Sequence, residues 1–240
     1  MGNKLITQRL ENASKTGTLT LCKLNLKELP SDIVKLTASN LRTLDLSDNK
    51  LKEFPTIILE FLTLKHLKLD HNRLDSLPEN FGSVFSKLET FSISYNLLTV
   101  LPPSFSYLSN LKVLNLSKNQ ISTFPTPILD LKLLDNLDLS RNSLTALPAE
   151  ISRISAVEMN LNQNQLTSLT EKIAECPNLK ILRLQENCLQ LNAFTRNVFA
   201  ESKLTVLAVE GNLFDMNDFR ALNGYDQLME RSTENRKKIF

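Results

Sequence analysis

Leucines and one asparagine recur in a single pattern along most of the chain, first complete as Leu41-x-x-Leu44-x-Leu46-x-x-Asn49-x-Leu51. The pattern occurs eight times, with its asparagine at Asn49, Asn72, Asn96, Asn119, Asn142, Asn164, Asn187 and Asn212. Successive asparagines are separated by 22 to 25 residues, and a degenerate unit with leucines at positions 19, 21, 24 and 26 precedes them. A period of this length is typical of a solenoid, in which each unit stacks on its neighbours.

Each unit contains the alternation x-Leu-x-Leu-x, which predicts a short β-strand because successive side chains of a strand point to opposite faces. We therefore expect the leucines to face the core and the residues between them to face outward. The asparagine follows the strand, where its amide can bond backbone groups that the turn would otherwise leave buried and unpaired. We interpret the eight asparagines as a structural ladder, not as ligands.

A second signature follows most strands, as in Phe54-Pro55-x-x-Ile58. It predicts a short helical or 3₁₀ segment, since proline fits the first helical turn and the residue three positions later returns to the same face. Together the two signatures are those of leucine-rich repeats. The expected fold is an α/β solenoid, a horseshoe with parallel strands on the concave face, short helical or 3₁₀ segments on the convex face and helical caps at both ends.

Both ends of the chain depart from the repeat and predict caps. Residues 1–16 are interpreted as an N-terminal arm and cap helix that Gly17 ends, and residues 17–214 as the repeats, one degenerate and eight full. Residues 215–240 are expected to form one cap helix, with apolar positions from Met216 to Leu228, and a frayed basic tail from residue 231 onward. The two longest units imply small insertions near residues 82–86 and 190–202.

Composition favours a folded protein and gives no support for nucleic-acid binding, because 42% of residues are hydrophobic and the formal net charge is only +2. The cysteines Cys22, Cys176 and Cys188 are odd in number and scattered, so we predict neither a disulfide framework nor a metal site. The N-terminal residues include no apolar h-region, so we expect no signal peptide, and no stretch approaches the roughly 20 apolar residues of a membrane span. The expected location is therefore a reducing, cytoplasmic compartment, without secretion.

The sequence has none of the common catalytic patterns: no glycine-rich phosphate loop, no serine elbow and no cysteine–histidine cluster. His66 and Asp70 stand four residues apart on one predicted strand face, about 13 Å between Cα atoms, too far for joint metal ligation. We interpret them as a surface pair. The prediction is a protein without catalytic residues, metal or cofactor, and not an enzyme.

The outward strand positions of the concave face are the expected binding surface for a protein partner. Their charges alternate in sign, which disfavours nucleic acid, and their C-terminal end is more apolar. The candidate contact residues are Asp45, His66, Lys68, Asp70, Ser92, Asn115, Asp138, Ile181, Arg183 and Val206. A few of these are expected to carry most of the binding energy, and the protein itself is expected to be a monomer.

The Leu-Pro-x-x-Ile form of the repeat resembles the intracellular leucine-rich-repeat class that includes Ras-binding and phosphatase-scaffolding proteins. The segments Met1-Gly2-Asn3, Leu161-Asn-Gln-Asn-Gln165 and Leu207-Ala-Val-Glu-Gly-Asn-Leu-Phe214 are more distinctive. With them, the whole chain is similar to the leucine-rich repeat-containing protein fifty-seven family. That resemblance implies a small, repeat-only protein that is N-myristoylated at Gly2 and associates with membrane. The general lipidation motif has Ser or Thr at the sixth position, where this sequence has Ile6.

Two functions remain open from the sequence. One is a protein-binding adaptor tethered to membrane by an N-terminal myristate; the alternative is a soluble regulatory or scaffold subunit for a phosphatase or small GTPase. One myristoyl chain gives only reversible attachment, so the first function predicts both cytoplasmic and peripheral membrane populations. Lys4, Arg9 and Lys15 would add attraction to anionic lipid. Only the first function requires modification of Gly2.

Overall fold

The protein is described by a computed structural model over residues 2–37 and 39–237. These residues form two compact units, Met1–Gln120 (unit 1) and Ile121–Phe240 (unit 2). Both units are built from one repeat, a three-residue strand followed by a turn and a short helical segment. Within each unit the strands are parallel and pair in register, for example Leu44 with Leu67 and Leu182 with Leu207. The leucine-rich-repeat solenoid fold predicted from the sequence is confirmed.

Unit 1 begins with a helix and continues with five strands over its described residues. They are α1 (Gly2–Thr16), β1 (Thr18–Thr20), β2 (Thr43–Asp45), β3 (His66–Lys68), β4 (Thr90–Ser92) and β5 (Val113–Asn115). The segments between the strands include 3₁₀ helices at Ser31–Leu36, Thr56–Glu60 and Pro103–Tyr107 and one α-helical turn, α2 (Phe81–Val84). The α-helical turn α2 lies in the longer repeat, where the sequence predicted an insertion.

Unit 2 has four strands and a helical C-terminal end over its described residues. The strands are β6 (Asn136–Asp138), β7 (Glu158–Asn160), β8 (Ile181–Arg183) and β9 (Val206–Ala208). The 3₁₀ helices are Thr126–Asp130, Ala149–Arg153, Glu171–Glu175 and Leu191–Ala193. The α-helices are α3 (Arg196–Ala200), α4 (Met216–Arg220) and α5 (Tyr225–Lys237). The second predicted insertion, residues 190–202, contains the fourth 3₁₀ helix and α3.

The core consists of the inward apolar side chains of the strands and of apolar residues from the helical side. Leu44, Leu67 and Leu114 are fully buried at the centre of their strands. In unit 1, Phe81 of α2 contacts four other phenylalanine rings at centroid distances of 4.9 to 5.8 Å: Phe54, Phe85, Phe91 and Phe105. These aromatic residues therefore fill the core, since edge-to-face and stacked ring pairs add to the stabilisation from their burial.

Proline stands one position earlier in the helical segments than the sequence analysis expected. Pro55 has an extended backbone (φ −69°, ψ 106°) and is the N-cap of its 3₁₀ helix, not a residue of the first turn. Its carbonyl oxygen accepts the first helical hydrogen bond from Ile58 N at 2.9 Å, and Pro148 accepts one from Ile151 N at 3.1 Å. The first-turn placement was wrong by one position, because the ψ of these prolines is extended, as at an N-cap, and not helical.

The residue before each ladder asparagine adopts a left-handed backbone conformation, which the sequence analysis did not predict. Positive φ values of 52° to 57° occur at Asp48, His71, Tyr95, Lys118, Arg141, Gln163 and Glu186. A residue that has a Cβ is strained in this backbone conformation by about 1–2 kcal/mol. The conformation turns the chain out of the strand and lets the following asparagine point inward.

At the N-terminal end, α1 packs Leu10 and Ala13 into the core of unit 1, and Gly17 follows the helix with φ +71°. A Cβ at Gly17 would lie 2.9 Å from the Asn40 carbonyl oxygen, so glycine is required there by both conformation and space. Arg9 donates from Nη1 to the Thr20 carbonyl oxygen at 2.8 Å and thereby ties the cap to β1.

At the C-terminal end, the single cap helix predicted from the sequence was wrong. Two helices are present, α4 and α5, and Gly224, with φ +98°, separates them. The frayed tail was also wrong for residues 231–237, because α5 continues to Lys237. Arg231 Nε donates to the Leu204 carbonyl oxygen at 3.0 Å, and its Nη2 donates to the Phe199 carbonyl oxygen. Residues 238–240 of the predicted tail lie outside the described residues.

Candidate binding surface on the strands

The outward side chains of the strands form what we call the strand face of each unit. All ten candidate contact residues lie on it, at strand positions or, for Asp70, two residues after β3. Unit 1 contributes Asp45, His66, Lys68, Asp70, Ser92 and Asn115, and unit 2 contributes Asp138, Ile181, Arg183 and Val206. Some of these side chains form hydrogen bonds within the protein, and others present their surface to a partner.

Asp70 is bonded to the next repeat rather than paired with His66 as the sequence analysis expected. Its Oδ1 accepts hydrogen bonds from Ser92 Oγ at 2.6 Å, from Ser94 N at 2.7 Å and from Ser94 Oγ at 2.8 Å. The lateral distance between strands is about 4.8 Å, much shorter than the separation of residues four apart along one strand. Ser92 is 8% exposed, so it supports Asp70 and offers little surface to a partner.

Three further candidates use their side chains to cap the ends of their own strands. Asp45 Oδ1 accepts from Ser47 N at 2.9 Å, Asn115 Oδ1 from Ser117 N at 3.0 Å and Asp138 Oδ1 from Ser140 N at 2.8 Å. Asx side chains commonly bond the backbone two residues ahead in this way. Substituting Asp45 or Asp138 would therefore disturb the strand end as well as the surface charge.

In unit 2, polar side chains of neighbouring repeats are bonded to each other across the strand face. Arg183 forms an ion pair with Glu158, and Gln185 links Asn162 and Glu210 through hydrogen bonds of 3.0 and 2.9 Å. Such cross-repeat bonds satisfy the polar groups within the protein and stiffen the face.

An apolar spot lies beside this polar network. Ile181 of β8 and Val206 of β9 are register partners with outward side chains; Val206 is 42% exposed and Ile181 is half-buried. The Arg183–Glu158 ion pair borders them. An apolar centre with a charged border is the arrangement found at protein interfaces. In unit 1, Lys68 is exposed and His66 is half-buried.

The ladder asparagines join successive repeats through their amides. Asn119 Nδ2 donates to the carbonyl oxygens of Ile93 and Leu116, both at 3.0 Å, and its Oδ1 accepts from Leu98 N at 3.0 Å. Asn187 in unit 2 makes the equivalent bonds to Leu161, Leu184 and Leu166. Each side chain thus satisfies backbone groups of its own repeat and of the preceding one, which supports the structural role that we assigned to it.

The sequence analysis missed a stack of side chains at the edge of the strand face in unit 1. The rings of His71 and Tyr95 are stacked with centroids 3.9 Å apart, and Lys118 Nζ lies 3.9 Å from the centroid of the Tyr95 ring. All three occupy the left-handed position before a ladder asparagine, in consecutive repeats. That shared repeat position is the signal that could have revealed the stack.

Neighbouring lysines shift the pKa of Glu89, and burial shifts the pKa of Cys176. Hydrogen bonds from Lys65 and Lys112 hold the pKa of the Glu89 carboxyl below its usual value. Burial raises the pKa of the Cys176 thiol to about 12, so this cysteine stays protonated and unreactive at neutral pH.

In residues 2–37 and 39–237, no group of three or more His, Cys, Asp or Glu side chains could hold a metal ion. No helix in these ranges is long and apolar enough to cross a membrane.

Comparison with known proteins gives matches to repeat modules. Residues 63–120 and 86–144 match a family model described as leucine rich repeat, and residues 40–62 match a second model of that description. The LRR repeats and ubiquitin-like domain-containing protein of Arabidopsis thaliana is 36% identical over 96 residues, 39% of this chain and 25% of that protein. Leucine-rich repeat and calponin homology domain-containing protein 1 of Mus musculus is 34% identical over 105 residues, 42% of this chain and 14% of that protein. The chain therefore spans a quarter or less of these relatives.

Among solved structures, an internalin of Listeria monocytogenes superposes with a TM-score of 0.73, covering 91% of this chain and 61% of the internalin chain. The sequence identity is 21%, so the likeness concerns the fold alone. Proteins with this module are typically non-catalytic binding proteins, and the matches indicate no catalytic family. Residues 40–144 thus match leucine-rich-repeat models, and the described residues have the fold of a leucine-rich-repeat solenoid.

Proposed function

We propose that this protein is a non-catalytic adaptor that binds a protein partner on its strand face and is held at membrane by an N-terminal myristate. The observation that carries the binding part is the apolar spot of Ile181 and Val206 in unit 2. These are the candidate contact residues whose outward surface is apolar, while most of the neighbouring polar groups are bonded within the protein. Burying such a spot against a partner gains free energy without breaking internal hydrogen bonds.

Replacing Val206 by aspartate is expected to weaken partner binding by about tenfold or more, because it puts a charge into the desolvated centre of the interface. The matched control is Leu213→Asp, which introduces the same charge at a side chain that is 63% exposed and lies off the strand face. Partners captured from cells by the wild-type protein would be quantified by mass spectrometry for both variants. Circular dichroism would check that both are folded. Capture that survives Val206→Asp but is lost in Leu213→Asp would contradict the strand face as the binding surface.

The membrane part of the proposal rests on Gly2 and on the resemblance to the leucine-rich repeat-containing protein fifty-seven family. The helix α1 begins at Gly2, whereas Met1 lies outside the described residues. Of the three basic residues expected to assist, Arg9 is tied to Thr20, Lys15 is exposed, and the side chain of Lys4 lies outside the described residues. Attachment should be reversible, because one myristoyl chain gives only marginal membrane binding.

Replacing Gly2 by alanine is expected to move the membrane-bound fraction entirely to the cytosol, because the acylated residue is lost while α1 and the repeats are unaffected. Fractionation of animal cells would measure the distribution, and the intact mass of the wild-type protein would show one added myristoyl group. The control is Asn3→Ala, which retains the acceptor glycine. An unmodified or acetylated wild-type N-terminus would contradict the tether and favour the alternative, a soluble regulatory or scaffold subunit for a phosphatase or small GTPase.

A further inference from the structure

A groove of about 540 Å³ lies in unit 1, away from the strand face, along the loops that follow the first strands. Four basic side chains line it: Lys27, Lys50, Lys52 and Arg73. All four are exposed. None of the functions considered above uses this surface.

The repeat itself explains why these four cations gather. Lys50 and Arg73 each follow a ladder asparagine, so they occupy the same position in consecutive repeats, and Lys27 and Lys52 share a position two residues further along. The loops lie side by side, since Lys50 N donates to the Leu26 carbonyl oxygen at 2.7 Å and Arg73 N donates to the Leu51 carbonyl oxygen at 2.8 Å. Residues two apart in an extended segment point to the same side. The four cations therefore form a staggered group across three consecutive repeats, with Lys27 in the first, Lys50 and Lys52 in the second and Arg73 in the third.

The positive charge of these four cations is not neutralised by ion pairs within the described residues. The ion pairs found in unit 1 join Lys35 to Asp32 and both Lys65 and Lys112 to Glu89. None of them includes a groove cation, even though Glu28 and Glu53 also line the groove. Unit 1 as a whole has 15 Lys and Arg against 11 Asp and Glu, so its surroundings do not cancel the local charge.

Part of the lining between the cations is apolar. Phe54 reaches the groove with 9% of its surface exposed, and the half-buried residues Leu29 and Pro55 lie beside it. A ligand that used only phosphate or carboxylate groups would leave this apolar lining in contact with water. A complementary ligand therefore has both negative charges and an apolar side chain, and it is narrow enough to follow the loops.

We propose that this groove binds an acidic peptide segment of a partner protein. Its carboxylates pair with Lys27, Lys50, Lys52 and Arg73, and one apolar side chain contacts the lining formed by Leu29, Phe54 and Pro55. Nucleic acid is a poorer fit, because its continuous phosphate backbone has no apolar side chain to contact Leu29, Phe54 and Pro55. No residue of the groove lining belongs to the strand face of unit 1.

The probe for the test is the fluorescein-labelled peptide Glu-Glu-Leu-Glu-Glu-Leu-Glu-Glu, and its binding to the full chain is followed by fluorescence anisotropy. We expect salt-sensitive binding that weakens by about tenfold when glutamine replaces every glutamate, because each charge-assisted contact is lost. The peptide with serine in place of leucine should bind about threefold or more weakly, through loss of the apolar contact. Equal affinity for the serine peptide would overturn the combined recognition of charge and apolar side chain.

The double variant Lys50→Gln/Arg73→Gln should weaken binding of the acidic peptide by about tenfold. The matched control is Lys15→Gln/Lys87→Gln, which removes two exposed positive charges of unit 1 outside the groove and should stay within about twofold of the wild type. An equal loss in both variants would mean attraction by net charge only and would overturn the site. Tighter binding of a labelled oligothymidylate or of phosphatidylserine vesicles than of the peptide would overturn the assignment of a peptide ligand.

Discussion

Replacing Gly82 by alanine should lower the free energy of unfolding by about 3 kcal/mol or more, the upper end of the range for an overpacked core. Gly82 is buried in α2, where a Cβ would lie 1.8 Å from the carbonyl oxygen of Ser104 and 2.5 Å from its carbonyl carbon. These are backbone atoms, so no rotamer change can relieve the overlap. Gly82 N also donates to Ser104 Oγ at 3.2 Å, which holds α2 close to the following 3₁₀ helix. The urea midpoint of unfolding measures the effect.

The control for this prediction is Ser83→Ala in the same helical turn. Ser83 is exposed, and alanine favours a helix, so its midpoint should remain close to that of the wild type. If Gly82→Ala had the same midpoint as Ser83→Ala, the close packing of α2 against residues 103–107 would be wrong.

Replacing Asn119 by alanine should lower the free energy of unfolding by about 1–3 kcal/mol, the penalty for leaving buried backbone groups unpaired. Asn119 is 9% exposed and bonds the carbonyl oxygens of Ile93 and Leu116 and the N–H of Leu98. Removing it leaves these groups without the amide in a region that water reaches poorly. Urea denaturation of the variant, analysed with an unchanged slope, gives the difference in stability.

Asn80→Ala is the matched control, because Asn80 is exposed at the N-cap of α2 and its side chain makes no cap hydrogen bond. In unit 2, Asn142→Ala should resemble Asn119→Ala, since Asn142 Oδ1 accepts from Ile121 N and its Nδ2 donates to the Leu139 carbonyl oxygen, both at 3.0 Å. Midpoints of both ladder variants that match the Asn80→Ala midpoint would contradict the structural role of the asparagines.

The hydrogen bonds of the strand face change how its charge should be tested. The outward direction of the Asp45 and Asp138 side chains by itself suggests reversing their charges as a test. Each of them bonds the backbone N–H two residues ahead, so a lysine there would remove a strand-end cap as well as a surface charge. The substitution Val206→Asp changes the surface charge with a smaller effect on the fold, since the Val206 side chain is 42% exposed.

The strands, the direction of their side chains and the presence of a turn after each strand could be predicted because they depend on a local pattern, whereas the left-handed residue before each asparagine was not predicted. Leucine alternation decides which residues face the core, and it does so within five residues. The end of α1 before Gly17 was equally local. The C-terminal cap was predicted less well, because apolar residues at every third position fit one continuous helix. The break at Gly224, where Phe199 packs closely, depends on the preceding repeat.

The sequence by itself thus determined the repeat, its solenoid fold, the inward leucines and the positions of the ladder asparagines. Only the tertiary structure decided which side chains meet across repeats. Asp70 bonds Ser92 and Ser94 rather than His66, and Lys50 lies beside the loop that carries Lys27. The physical reason is that neighbouring strands lie about 4.8 Å apart while the chain between them runs for more than 20 residues. The partners that satisfy or expose a surface side chain therefore belong to a different repeat, and stacking of the repeats brings them together.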